Sequence, residues 1–212
     1  MNIPLKLGFK GLEIQPGEHL CGLYAGVHQR DEMLLPFLRA GLDSGDKCIC
    51  IVDGTEPAEI IAALGAPAGD SSAAGIKQLD VMRATDTYLR SGTFSAAETI
   101  ATWKAAISEV MYLGRFARVR AFESWSLRDV VPDMQELLRL EREMGNFLAL
   151  YPQVILCLYD IERFGGDIIS DVIKLHSKVL VRGMIVENPL HLTPEEMLAS
   201  PYPFGNNCCS AG

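Results

Sequence analysis

The sequence predicts an α/β domain of three layers, a mostly parallel central sheet with helices on both of its faces. Short apolar runs such as Cys48–Val52 and Val154–Tyr159 alternate with longer segments whose apolar residues recur at helical spacing. Those runs lack a polar alternation, as strands buried on both faces do. Gly-, Pro- and Asp-containing joins punctuate the alternation. Strands and helices in turn build βαβ units, whose crossovers cover both sides of a parallel sheet.

Residues 1–15 carry no clear periodicity and are expected to be a loose or edge-pairing extension, ahead of a domain over 16–200. His19–Tyr24 (HLCGLY) reads as the first strand. Asp31–Leu42 sets Met33, Leu34, Phe37, Leu38 and Leu42 at helical spacing, closed by Gly45-Asp46. Cys48–Val52 is the second strand and ends at Asp53-Gly54. Pro57–Leu64 suits a helix with Thr55 as its cap and Pro in the first turn. Residues 65–75 read as a loop, and Lys77–Met82 as a third, weaker strand. Phe94–Leu113 is the longest helical pattern, opened by Ser95 with Glu98 three residues on, a capping box. Val119–Trp125 is the fourth strand, Pro132–Leu150 an amphipathic helix, and Val154–Tyr159 the fifth strand. Phe164–Leu175 makes a shorter helix, Lys178–Val186 returns as one or two strands, and residues 201–212 are expected to be a flexible tail.

Composition narrows the function. A net charge of −8 over 212 residues argues against a nucleic-acid surface, which needs a basic face. The basic cluster Arg115–Arg120 offers at most a local anion contact. No apolar run approaches the ~20 residues of a membrane span, and the start lacks a secretory pattern, so a cytoplasmic setting without membrane contact is the expectation. Cys21, Cys48, Cys50, Cys157, Cys208 and Cys209 include no C-x-x-C pair. Four of them stand in apolar, strand-like segments, where a reduced thiol packs as a small hydrophobe.

In an open α/β sheet, ligands bind beyond the carboxyl ends of the strands. Tyr24, Asp53, Glu56, Glu123, Trp125, Tyr159 and Asp160 fall there, aromatics mixed with carboxylates as in a pocket for a small, partly apolar molecule. The aromatics could equally cap the core with one wet tip. His19 and Cys21, two apart on a strand, share a face. With Cys157 and His176 they could complete an N/S metal set, but closed-site spacing is missing and a hydrogen-bonded core histidine beside thiols is favoured, so no metal is expected. Glu123 and Asp160 lack a nucleophile, and Ser124 and Ser126 lack a histidine at motif spacing, so an enzyme finds little support. The run Asp133, Glu136, Arg139, Glu141, Arg142 and Glu143 reads as a solvated helix face laced with ion pairs.

Gly17-Glu18-His19-Leu20-Cys21 with Tyr24, Phe122-Glu123-Ser124-Trp125, Cys157-Leu158-Tyr159-Asp160, Arg163-Phe164-Gly165-Gly166, His176 and Glu187-Asn188-Pro189 occur in that order. This set resembles the MEDS family, sensory domains of methanogens and methylotrophs and of a dichloromethane-responsive repressor. The resemblance implies a more distant kinship to RecA- and KaiC-like ATPases, with a RecA-like sheet in which the first, fourth and fifth strands are central neighbours. The phosphate loop would fall at 24–31 (YAGVHQRD), which has neither the paired glycines nor the lysine, so Walker-type nucleotide binding is not expected. The resemblance implies a sensory module in signal transduction or transcription regulation, often fused in the family to kinase or DNA-binding segments; with no second domain read in these residues, a stand-alone module is the expectation. It would bind a small organic ligand through His19, Cys21, Tyr24, Glu123, Trp125 and Tyr159. It would then signal through a partner kinase or transcription regulator, or by self-association into a homo-oligomer. A metal- or thiol-redox switch using His19 and Cys21, or a degenerate nucleotide-binding enzyme, are the alternatives, and no cofactor is named by the sequence.

Overall fold

The computed structural model describes residues 4–9, 12–65, 77–125, 134–148, 150–193 and 196; the side chains of Glu123, Ser124, Trp125 and Met134 and the predicted tail lie outside that description. The chain opens with β1 (Leu5–Lys6) and β2 (Glu13–Ile14), an antiparallel pair, followed by β3 (His19–Tyr24), α1 (Gly26–Asp43), β4 (Lys47–Val52), α2 (Pro57–Ala63) and β5 (Leu79–Arg83). After a short 3-10 turn come α3 (Ala96–Tyr112), β6 (Val119–Trp125), α4 (Met134–Leu148), β7 (Gln153–Asp160), α5 (Gly166–Leu175), β8 (Lys178–Val181) and β9 (Met184–Glu187).

Seven strands form one sheet in the order β5-β4-β6-β7-β3-β8-β9, parallel except for the β8–β9 hairpin. The first, fourth and fifth predicted strands are therefore the adjacent β3, β6 and β7. All eight residues of β7 are buried, because helices cover both faces. Val154, Leu156 and Leu158 pack with Met33, Leu34, Phe37 and Leu38 of α1; Ile155, Cys157 and Tyr159 pack with α3, α4 and α5. The fold is the three-layer α/β arrangement that the alternating pattern predicts.

Three expectations need correction. The N-terminal extension is docked: Leu5, Leu7 and Ile14 are buried in the α1-side core, and their spacing across a tight hairpin left no periodicity to read. Helix α1 starts at Gly26, ahead of the first apolar position that marks it in sequence. β3 passes into it through Ala25 alone, whose N–H is taken by the Gln29 side chain at 3.0 Å. Thr55 does not cap α2, whose N-cap is Glu56; its hydroxyl accepts from the buried Arg30 at 2.7 Å. Ser95 caps α3 as expected, accepting from the Glu98 N–H.

The basic cluster finds its anion inside the protein. Asp46, at the turn into β4, accepts from Arg118 Nε at 2.8 Å and from Arg120 Nη2 at 3.0 Å. Arg120 is fully buried, stacks over Phe37 at 4.9 Å and donates to the Lys6 carbonyl, joining the hairpin, α1 and the sheet. Gly41 makes the room: a Cβ there would stand 2.6 Å from the Arg120 side chain and 2.7 Å from Cys48 Sγ.

Candidate functional site

The sheet alternation divides the predicted ligand residues between two faces. His19, Cys21 and Tyr159 belong to the face under α4 and α5, where Cys21 lies opposite Cys157 in the β3–β7 register. Tyr24 is buried in the opposite, α1-side core. Tyr24 and Tyr159 thus do not converge, since neighbouring strand residues alternate faces and Tyr159 is paired with Leu23. Glu123 and Trp125 stand at the carboxyl end of β6, level with Cys157 and Tyr159 of β7, and their side chains lie outside the described residues.

What the fold does assemble is a buried polar cluster. From the start of β3 comes His19, from α4 Glu141, from β7 Cys157 and Tyr159, and from the residue closing α5 His176. The Nε2 of His19 lies 3.2 Å from Cys157 Sγ, 3.2 Å from His176 Nε2 and 3.3 Å from Glu141 Oε2. His176 Nε2 is 3.4 Å from the same carboxylate oxygen. The Tyr159 hydroxyl donates to Glu141 Oε1. The two imidazoles tilt against each other at 4.0 Å. Glu141 is 1% and His176 0% exposed, so this chemistry is shut away from solvent.

Burial sets the electrostatics. It lowers the His19 imidazole to about 3, reinforced by His176 and only partly opposed by Glu141. Burial pushes the Glu141 carboxyl up, yet the hydrogen bonding and charge of His176, then His19 and Tyr159, together hold it below the ordinary carboxylate range. The Tyr159 hydroxyl is driven well up by burial and by the adjacent carboxylate. Cys21 is raised for the same two reasons. The Glu141 carboxylate therefore sits ionised beside a His19 imidazole, a Tyr159 phenol and a Cys21 thiol that burial holds in their neutral forms. Its Oε2 and His19 Nδ1 are buried without a hydrogen-bond partner among the described residues.

Glu141 is the residue that sequence reasoning misplaced, because it stands in a charged run. Glu136, Arg139 and Glu143 of that run do form the expected exposed pairs. Glu141 instead continues the stripe Leu137, Met144 and Leu148 at helical spacing, all buried. That spacing was the available signal. Asp160 is committed to a turn, accepting from the Glu162 N–H at 3.0 Å. Asp53 and Glu56 border a separate open cleft of about 260 Å³ at the ends of β4 and β5, with Thr55, Glu59 and Arg83. Cys48 and Cys50 are core thiols.

Comparison with known proteins bears on this site. The sequence model of the MEthanogen/methylotroph, DcmR Sensory domain (MEDS) matches residues 18–177, a span that holds every member of the cluster. The transcriptional repressor DcmR of Methylorubrum extorquens is 27% identical over 170 residues, which are 78% of this chain and 60% of the repressor. The chain thus spans about three fifths of the length of that curated relative. Among solved structures, the flagellar accessory protein FlaH of Methanocaldococcus jannaschii matches with a TM-score of 0.54 at 9% identity, over 87% of this chain and 84% of that one. That likeness extends to the fold, a RecA-like α/β sheet.

Proposed function

The chain belongs to the MEDS family of sensory domains, and from that premise we propose that it senses a small organic ligand at the buried His19–Glu141–His176 cluster. Its role is sensory and regulatory, as the family and the repressor relative indicate. The observation that carries the ligand reading is the cluster itself. Burying a carboxylate, two imidazoles and a phenol costs stability unless each is well paired, and strongly perturbed ionisable groups gather where a protein binds or reacts. Here two buried polar atoms, Glu141 Oε2 and His19 Nδ1, lack hydrogen-bond partners among the described residues.

The cluster is closed in this structure, so in this reading a ligand reaches it as α4 and α5 part from the sheet, and there meets Tyr159 as an aromatic wall and Glu141 as an acceptor. Cys21 borders the site on the same face. Glu123 and Trp125, level with Cys157 and Tyr159 on the neighbouring strand, stay within the proposed ligand set by that position alone. Tyr24 is left out, being in the opposite core. Occupancy would then be read by a partner kinase or transcription regulator, or by a second copy of the chain, through the helices that cover the cluster. β3 runs into α1 with no intervening loop, an arrangement that favours a ligand other than a nucleotide.

Thermal shift against short-chain organic molecules tests this. A ligand at a hundred times its Kd stabilises by about 2.7 kcal/mol, and that response is expected to vanish in Glu141→Gln. A ligand that stabilises wild type and folded Glu141→Gln equally would place the sensing site elsewhere.

A further inference from the structure

We propose that His19, Glu141, Cys157 and His176 form a tetrahedral site for a divalent transition-metal ion of the zinc class. Their four ligand atoms all lie within 4.8 Å of one another. Bonds of about 2.0–2.3 Å to a tetrahedral ion leave its ligand atoms about 3.3–3.6 Å apart. Of the six edges, the four given above, 3.2, 3.2, 3.3 and 3.4 Å, come close to that spacing, and the two from Cys157 Sγ to Glu141 and His176 lie within 4.8 Å.

Direction supports spacing. Val172 O can only accept, so His176 Nδ1, 2.8 Å from it, carries the proton and Nε2 turns a lone pair into the cluster. Glu141 Oε2 faces the same point and accepts no hydrogen bond from the described residues, while Oε1 is held from outside by Tyr159. An imidazole anchored to a backbone carbonyl and a carboxylate anchored by a hydroxyl form the outer shell that orients metal ligands. Two nitrogens, a carboxylate oxygen and a thiolate sulfur suit zinc and its late first-row neighbours rather than magnesium or calcium.

Charge also balances. Carboxylate and thiolate contribute two negative charges, which a divalent ion neutralises in the core. On binding, the Cys157 thiol releases its proton to solvent, its sulfur bonds to the metal, and no electron is transferred. His19 keeps its proton on Nδ1 and binds through Nε2. All four ligands are buried protein groups, so the site is closed and ties β3, β7, α4 and the end of α5 together. This inference goes beyond organic-ligand sensing and stands without it.

Cobalt substitution tests the site, using the full chain with Cys208→Ser and Cys209→Ser so that tail thiols take no part. Chelator-stripped protein is titrated with Co2+ alone. One equivalent is expected to bind, with the visible bands of tetrahedral cobalt and a thiolate charge-transfer band, and Zn2+ should displace it. Cys157→Ser should lose the charge-transfer band and Cys21→Ser should keep it. Tyr159→Phe, which leaves all four ligands in place, should weaken Co2+ binding about 10–100-fold. Circular dichroism establishes folding, and the wild-type titration decides even where a variant does not fold. Folded wild type that takes up no Co2+, or takes it up with an octahedral spectrum, overturns the site, as does an intact charge-transfer band in folded Cys157→Ser. Cobalt binding without any organic-ligand response would sustain this site while sinking the sensing proposal, and the converse would do the reverse.

Discussion

Single residues decide how much of the core is polar. Glu141 replaces an apolar side chain on a buried stripe, and Tyr159 supplies its fixed donor. Removing that hydroxyl in Tyr159→Phe is expected to cost about 1–3 kcal/mol by leaving a buried acceptor unmet, read from denaturant melts. At Gly41 the space is already filled by Arg120 and Cys48, so Gly41→Ala should destabilise by about 1–3 kcal/mol through overpacking, in the same assay. Burial raises the Cys48 thiol to about 12, only partly opposed by Arg120, and raises Cys50 further. Native protein should therefore leave both thiols unalkylated at neutral pH. A folded pKa above the unfolded value of 9.0 contributes stability that is complete below pH 9 and is lost as pH climbs toward 12. Melts that showed no loss between pH 8 and about pH 10.5 would contradict it.

At the scale of elements, the N-terminal hairpin and the Arg120 junction are parts of one clamp. Leu7 is buried beneath the hairpin, so Leu7→Ala should cost about 2–5 kcal/mol; a loss under half a unit would restore the loose extension. Asp46→Ala strands a guanidinium that is fully buried, and an expected loss of about 3–5 kcal/mol follows from that. The strands were legible because β4 and β7 are buried on both faces and so read as unbroken apolar runs. The first turns of α1 were not, since Gly26, His28 and Gln29 carry no apolar period. His19, Cys157 and His176 were readable as chemistry-bearing residues but not as a closed set. The fourth member arrives from α4, and only the docking of that helix on β3 and β7 shows which of its charged residues turns inward. Tyr24 and Tyr159 share the carboxyl edge of the sheet but not a face, because side chains alternate along a strand and Tyr159 stands level with Leu23.

For the molecule as a whole, the fold holds two separate buried polar centres, the His19–Glu141–Cys157–His176 cluster on the α4 and α5 side of the sheet and the Asp46–Arg120 anchor on the α1 side. The proposed sensing centre is the cluster beneath α4 and α5, rather than the open cleft at the ends of β4 and β5. Side-chain imidazole resonances of His19 and His176 report on that choice directly. Once a small organic molecule is found that raises the melting temperature, it is titrated into protein labelled at its imidazole nitrogens and its guanidinium groups. Saturable shifts at His19 and His176, with Arg83 unmoved, are the predicted result. Saturable shifts at Arg83 with both buried histidines unchanged would contradict it.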